Sequence, residues 1–122
     1  MGHIFYVMGK SASGKDTIYK ILRERLPQIR TVVPYTTRPI RAGEQDGVQY
    51  YFTDDSRLEE FKKSGKLIEA RAYHTVHGIW TYFTADDGQV DLSEGNYLGI
   101  GTLESYQKLK QYYGEEHVIP VY

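Results

Sequence analysis

The feature that most limits what this chain can fold into is the run Gly9-Lys10-Ser11-Ala12-Ser13-Gly14-Lys15, placed directly after the apolar stretch Ile4–Met8 and followed by Asp16 and Thr17. Two glycines five positions apart with a lysine next, between a strand and a helix, have the layout of a phosphate-binding loop. The glycines allow backbone angles that turn successive N–H groups into one concavity, and the helix start adds its positive dipole end. Lys15 supplies a mobile point charge. The same residues would also serve as a glycine-rich turn with a solvated lysine. At glycine usage of about 7%, however, a match of this kind arises by chance in roughly a few per cent of chains this short. The full pattern calls for Ser or Thr right after the lysine, to put a hydroxyl on Mg²⁺, and here that place holds Asp16. An acid beside phosphates needs a cation between them, so Asp16 and Thr17 are the candidate metal-side groups.

Such a loop needs a buried strand behind it, and Ile4–Met8 is continuously apolar, as expected of a strand covered on both faces. Helix and strand signals then alternate. Ile18, Ile21, Leu22 and Leu26 form one helical face that stops before Pro27. Thr31–Val33 and Val48–Phe52 are strand candidates, and Ser56 with Glu59 reads as a capping box for a helix closed by Gly65. Strands are expected over 66–73, 79–84, 97–100 and 118–122, with a helix over 103–113 ended by Gly114. This is an α/β order. Val118–Tyr122 looks like an interior strand with nothing after it to cover one face, which suggests a piece of a longer protein. The 40% apolar content supplies one core, and a net charge of −1 provides no field to draw the whole molecule to nucleic acid or an anionic membrane. The absence of cysteine removes disulfides and thiolate chemistry and suits a cytoplasmic protein.

The second dense stretch runs from Tyr35 to Phe52, through Thr36-Thr37-Arg38-Pro39-Ile40-Arg41-Ala42-Gly43-Glu44 and Asp46-Gly47-Val48-Gln49-Tyr50-Tyr51. With the loop at Gly9–Thr17 and with Leu67-Ile68-Glu69, it resembles the guanylate kinases over most of the chain. The resemblance implies a P-loop α/β/α fold with a mostly parallel sheet and a small inserted mixed-sheet subdomain for GMP. Residues 1–33 and 85–122 would then form the core and 34–84 the insert, with the lid and C-terminal helices lying beyond this chain. It implies ATP and Mg²⁺ as cofactors, with Gly9, Lys10, Ser11, Ala12, Ser13, Gly14, Lys15, Asp16 and Thr17 on the ATP side. Arg38, Arg41, Tyr50 and Tyr82 would grip the GMP phosphate, and Glu69 would accept hydrogen bonds from the guanine edge. Lys15, Arg38 and Arg41 would carry the catalytic charge stabilisation.

Physical chemistry is consistent with these roles. Two arginines three residues apart in an extended, proline-containing segment can converge on one phosphate through paired donors. A carboxylate that accepts two purine N–H groups rejects adenine, which would leave it unpaired. Singly, each residue also reads as a solvated charge or a half-buried ring. Two departures stand out. Pro34 occupies the place of a base-contacting serine, and the strand Tyr97-Leu98-Gly99-Ile100-Gly101 has no carboxylate where the family has acids. The reaction expected is phosphoryl transfer from ATP to GMP across two facing anion sites. The rivals are a guanylate kinase-like scaffold that binds phosphorylated peptides and a P-loop kinase for another small acceptor. The retained loop with Lys15 speaks against the scaffold, whereas Pro34 and the missing acids are the warning for the second. His74 and His77, whose spacing on a strand puts the rings on opposite faces, do not make a metal pair, and 86–91 reads as a surface turn.

Overall fold

The computed structural model of the chain describes residues 2–8, 14–48 and 50–121, with Lys15 and Asp16 described by backbone alone. The chain divides into two compact units, residues 1–32 with 88–122 and residues 33–87.

The first unit is built on a parallel sheet. Strand β1, Ile4–Met8, is central, as its unbroken apolar run requires, and four of its five residues are buried. It pairs in parallel with β7, Tyr97–Gly101, and with β8, Val118–Val121; β2, Arg30–Thr31, lies outside β7. The order is therefore β2-β7-β1-β8. Helix α1, Lys15–Arg25, and helix α3, Leu103–Tyr113, join these strands. Successive strand residues point to opposite faces. Phe5 lines a groove with Leu22 and Leu26 of α1, whereas the next residue, Tyr6, has its ring 6.4 Å from Tyr106 of α3. The two helices thus cover opposite faces, giving three layers. Thr102 caps α3 by accepting the Ser105 N–H at 3.3 Å.

The apolar face read for α1 is only partly covered. Ile18, Ile21 and Leu26 remain 38%, 43% and 44% exposed, and only Leu22 is half-buried among the four.

The second unit carries a mixed sheet ordered β4-β3-β6-β5, with β3 Tyr35–Thr36, β4 Tyr51–Phe52, β5 Leu67–Thr75 and β6 Gly78–Ala85. Strands β3 and β4 are parallel, and the other pairs are antiparallel. Helix α2, Asp55–Lys63, buries Leu58 and Phe61 against Tyr35, Phe83 and Ala85. Tyr35 stacks on Phe83 at 5.1 Å between ring centroids, and truncating a ring as buried as Phe83 costs about 3–5 kcal/mol.

The start of α2 corrects the capping-box reading. Asp54, not Ser56, is the cap, and its carboxylate accepts the Arg57 N–H at 3.1 Å. Both residues can cap, and Asp54 has the extended backbone that a cap requires. The other end follows expectation. Gly65 has φ 73°, the Lys66 N–H reaches the Phe61 carbonyl at 3.0 Å, and the Gly65 N–H reaches that of Lys62 at 3.2 Å, a complete Schellman closure. The strands expected at 31–33 and 48–52 shorten to Arg30–Thr31 and Tyr51–Phe52. Gly47 and Val48 are taken up in a turn instead, closed by the Val48 N–H on the Gln45 carbonyl at 3.1 Å.

Candidate functional site

Strand alternation in the second unit decides which side chains can act together. On β6, Thr81, Phe83 and Ala85 are buried on the core side, so Trp80, Tyr82 and Thr84 share the opposite face. Across the antiparallel ladder Thr84 pairs with Glu69, Tyr82 with Arg71, and Trp80 with Tyr73. A bulge between Leu67 and Glu69 makes this possible. One extra residue, Ile68, lets both Ile68 and Glu69 be buried in succession, which re-aims Glu69 onto the face of Tyr82.

Glu69 is 6% exposed. One of its oxygens accepts the Thr84 hydroxyl at 2.8 Å and the other the Arg71 Nε–H at 3.3 Å. These two partners fix the plane of the carboxylate and leave further lone pairs as acceptors. An acid held as a pure acceptor suits a ligand edge that presents N–H groups.

About 7 Å along the strand, at roughly 3.3 Å per residue, lies the cationic end. The segment entering it is stapled to β6 by its two threonines. The buried Thr36 hydroxyl donates to the Thr81 carbonyl and accepts the Arg38 N–H, both at 3.1 Å, while the Thr37 hydroxyl accepts the Thr81 N–H at 2.9 Å. Arg38 is thereby turned inward and is 4% exposed. Its Nε–H donates to the Tyr82 hydroxyl at 3.2 Å, and its guanidinium lies 5.4 Å from the Tyr50 ring and 5.6 Å from the Phe52 ring. Tyr50 and Tyr82 meet edge to face at 5.5 Å. Asp46 sets the approach of this segment by accepting the Phe52 N–H at 2.8 Å.

The partner of Arg38 has no signal in the sequence. Glu44 takes its fork on both oxygens at 2.9 Å, and the Pro39 carbonyl takes a third N–H at 3.1 Å. Glu44 also accepts the Arg41 N–H at 2.8 Å. Held chiefly by the Arg38 hydrogen bonds, the Glu44 carboxyl is pulled down to about 2, and the Arg38 guanidinium is correspondingly raised above its ordinary range. The Arg41 side chain is exposed, with its guanidinium 6.0 Å from the Trp80 ring centroid. Arg38, Arg41, Tyr50, Tyr82 and Glu69 are thus all brought to one face of the β5–β6 hairpin.

On the first unit, Gly9, Lys10, Ser11, Ala12 and Ser13 lie outside the described residues. Gly14, at φ 88°, immediately precedes α1, whose first turn holds the Lys15 and Asp16 backbone and an exposed Thr17. The Gly14 carbonyl accepts the Ile18 N–H at 3.1 Å, and among the described residues no side chain caps the helix start. Amides left without an intrahelical partner at such a start suit an anion, and an exposed hydroxyl one turn in suits a metal bound to it. Gly99 and Gly101 lie under the Tyr6 ring, which fills the space a side chain would need at either position. Among the described residues no group of three or more His, Asp or Glu is placed to hold a metal, and no helix is long and apolar enough to cross a membrane.

Comparison with known proteins adds a family. The guanylate kinase family model matches residues 2–81. The chain is similar to a guanylate kinase of Mycobacterium bovis, 40% identical over 78 residues, covering 64% of this chain and 36% of that protein. It is also similar to a guanylate kinase of Leifsonia xyli, 37% identical over 100 residues, covering 75% and 38% respectively. The chain therefore spans a little over a third of the length of these curated relatives. In fold it matches the crystal structure of guanylate kinase from Anaplasma phagocytophilum with a TM-score of 0.72 at 24% identity, over 98% of this chain and 58% of that one.

Proposed function

The chain belongs to the guanylate kinase family, and from that premise we propose that the protein transfers the γ-phosphate of ATP to GMP, giving ADP and GDP. The observation that carries this reading is the shared face of the β5–β6 hairpin. It offers an acceptor carboxylate, Glu69, at one end and two arginines with two tyrosines at the other. From Thr84 to Trp80 that face runs about 13 Å at roughly 3.3 Å per residue, room for a nucleotide with its base at Glu69 and its phosphate at Arg41. The Tyr82 hydroxyl accepts from Arg38, so its own proton is available to a phosphate oxygen and is made a better donor by the cation behind it.

On the other substrate, Gly9–Lys15 would cradle the ATP phosphates, and Thr17 with Asp16 would hold Mg²⁺, which when bound neutralises charge between the β- and γ-phosphates. The protein's part is alignment and charge neutralisation. Lys15 follows the transferring group, Arg41 holds the acceptor phosphate in line, and no side chain need remove a proton. Initial rates of the natural full-length protein with ATP and either GMP or AMP test the reading. Turnover with GMP at least a hundredfold faster than with AMP is expected; no turnover with GMP, or equal rates with both, would overturn it.

A further inference from the structure

Arg38 is the most deeply held cation in the second unit, yet it has little left to offer a ligand. A guanidinium has five N–H donors. The Tyr82 hydroxyl takes one, the Pro39 carbonyl one and Glu44 two, so a single Nη2 hydrogen remains without a partner among the described residues. A fork filled in this way cannot also clamp a phosphate bidentately. The carboxylate that fills it also accepts the Arg41 N–H, and the Glu44 N–H donates to the Arg41 carbonyl at 3.0 Å. Glu44 therefore closes a tight turn whose first residue is the exposed arginine and ties that turn to the buried one.

We propose that Glu44 is a positioning residue for the acceptor phosphate. By engaging both Arg38 and the Arg41 backbone, it orients the Tyr82 hydroxyl through the first and the Arg41 side chain through the second. The work is thus divided between the two arginines. Arg38 is an internal strut that polarises Tyr82 and contributes one N–H, and Arg41 is the arm that carries the phosphate. An ion pair suits this role, because a bidentate fork fixes angle as well as distance. The opposite role, a carboxylate that competes with the substrate for Arg38, is disfavoured by the Arg41 bond, since a group that must leave whenever phosphate arrives would release the turn just as it is needed.

The inference rests on the reading of this face as a GMP site, and the test separates the two. GMP and guanosine, which has the base but no phosphate, are titrated by calorimetry into the natural full-length protein and into its Glu44→Gln and Glu44→Asp variants. Glutamine keeps the size but sets an amide N–H₂ against the Arg38 donors; aspartate keeps the charge but falls a methylene short. The expected result is GMP binding weakened about tenfold or more in Glu44→Gln and less in Glu44→Asp, with guanosine binding within twofold of the original protein in both. If GMP binds the glutamine variant as tightly as the original or more tightly, or if GMP and guanosine lose affinity together, the positioning role is overturned. If the original protein binds neither, it is the GMP reading that fails.

Discussion

Replacing Gly99 by alanine tests how tightly the first unit packs around a strand that carries no carboxylate. Gly99 pairs with Tyr6 in the parallel β1–β7 ladder, and Tyr6 is 4% exposed. A Cβ at position 99 would lie 2.7 and 2.9 Å from two carbons of that ring. Carbon atoms rest at about 3.5–4.0 Å, so the ring must move by close to 1 Å. It has little room, because a Cβ at position 101 would meet the hydroxyl of the same ring and also lie 3.3 Å from the Ser105 Cβ. Gly99 does not have a left-handed backbone, so the cost is steric alone. Overpacking of this kind costs about 1–3 kcal/mol, or roughly 5–20 °C in the melting temperature of a unit this size. Thermal unfolding followed by circular dichroism, with hydrogen exchange at β1 and β7 amides to localise the loss, reads the effect. Tyr6→Leu should relieve it, with a coupling of about 1–3 kcal/mol between the two substitutions. Stability of Gly99→Ala within about 0.5 kcal/mol of the original, or strict additivity with Tyr6→Leu, would refute the steric account. That account also says why no carboxylate stands at 99 or 101: Tyr6 already occupies the space.

Glu69→Gln should weaken GMP binding about tenfold to a hundredfold, the worth of one charged hydrogen bond, and leave ATP binding unchanged; equal losses measured by calorimetry would remove Glu69 from the base site. Asp54→Ala should destabilise the second unit by about 1 kcal/mol through loss of the α2 cap, whereas Ser56→Ala should be neutral in urea unfolding. Glu44 has a folded pKa of about 2, below its ordinary 4.5, so its stabilising contribution is complete above that ordinary value and is lost as pH falls through about 2. Acid unfolding of Glu44→Gln should lack that component, and identical acid profiles for the two proteins would contradict the assignment.

Much of the fold can be read from pattern because the relevant signals are dense. The unbroken apolar run of β1 and the glycine closures after α2 and α3 each admit few alternatives. Two-residue strands such as β2, β3 and β4 carry no periodicity and owe their existence to tertiary pairing. The cap of α2 is ambiguous in sequence because two good capping residues lie two positions apart. At the candidate site, Arg38, Arg41, Tyr50, Glu69 and Tyr82 are legible through the family resemblance, and the hairpin brings them to one face. Glu44 is not, because a glutamate in a glycine-containing loop reads as a solvated charge until Arg38 is seen to be turned inward. The Thr36 and Thr37 staples and the bulge at Ile68 are likewise products of register, which no local pattern announces.

A GMP site on one face of the β5–β6 hairpin would hold the guanine at Glu69 and the phosphate at Arg41 and Tyr82. Titrating GMP into isotope-labelled protein, while following the arginine Nε–H signals and the amides of residues 69, 82 and 84, tests it most directly. GMP should produce saturable shifts at Arg41, Tyr82, Glu69 and Thr84, and inorganic phosphate shifts confined to the arginine end. Saturation by GMP with those signals unmoved would contradict it.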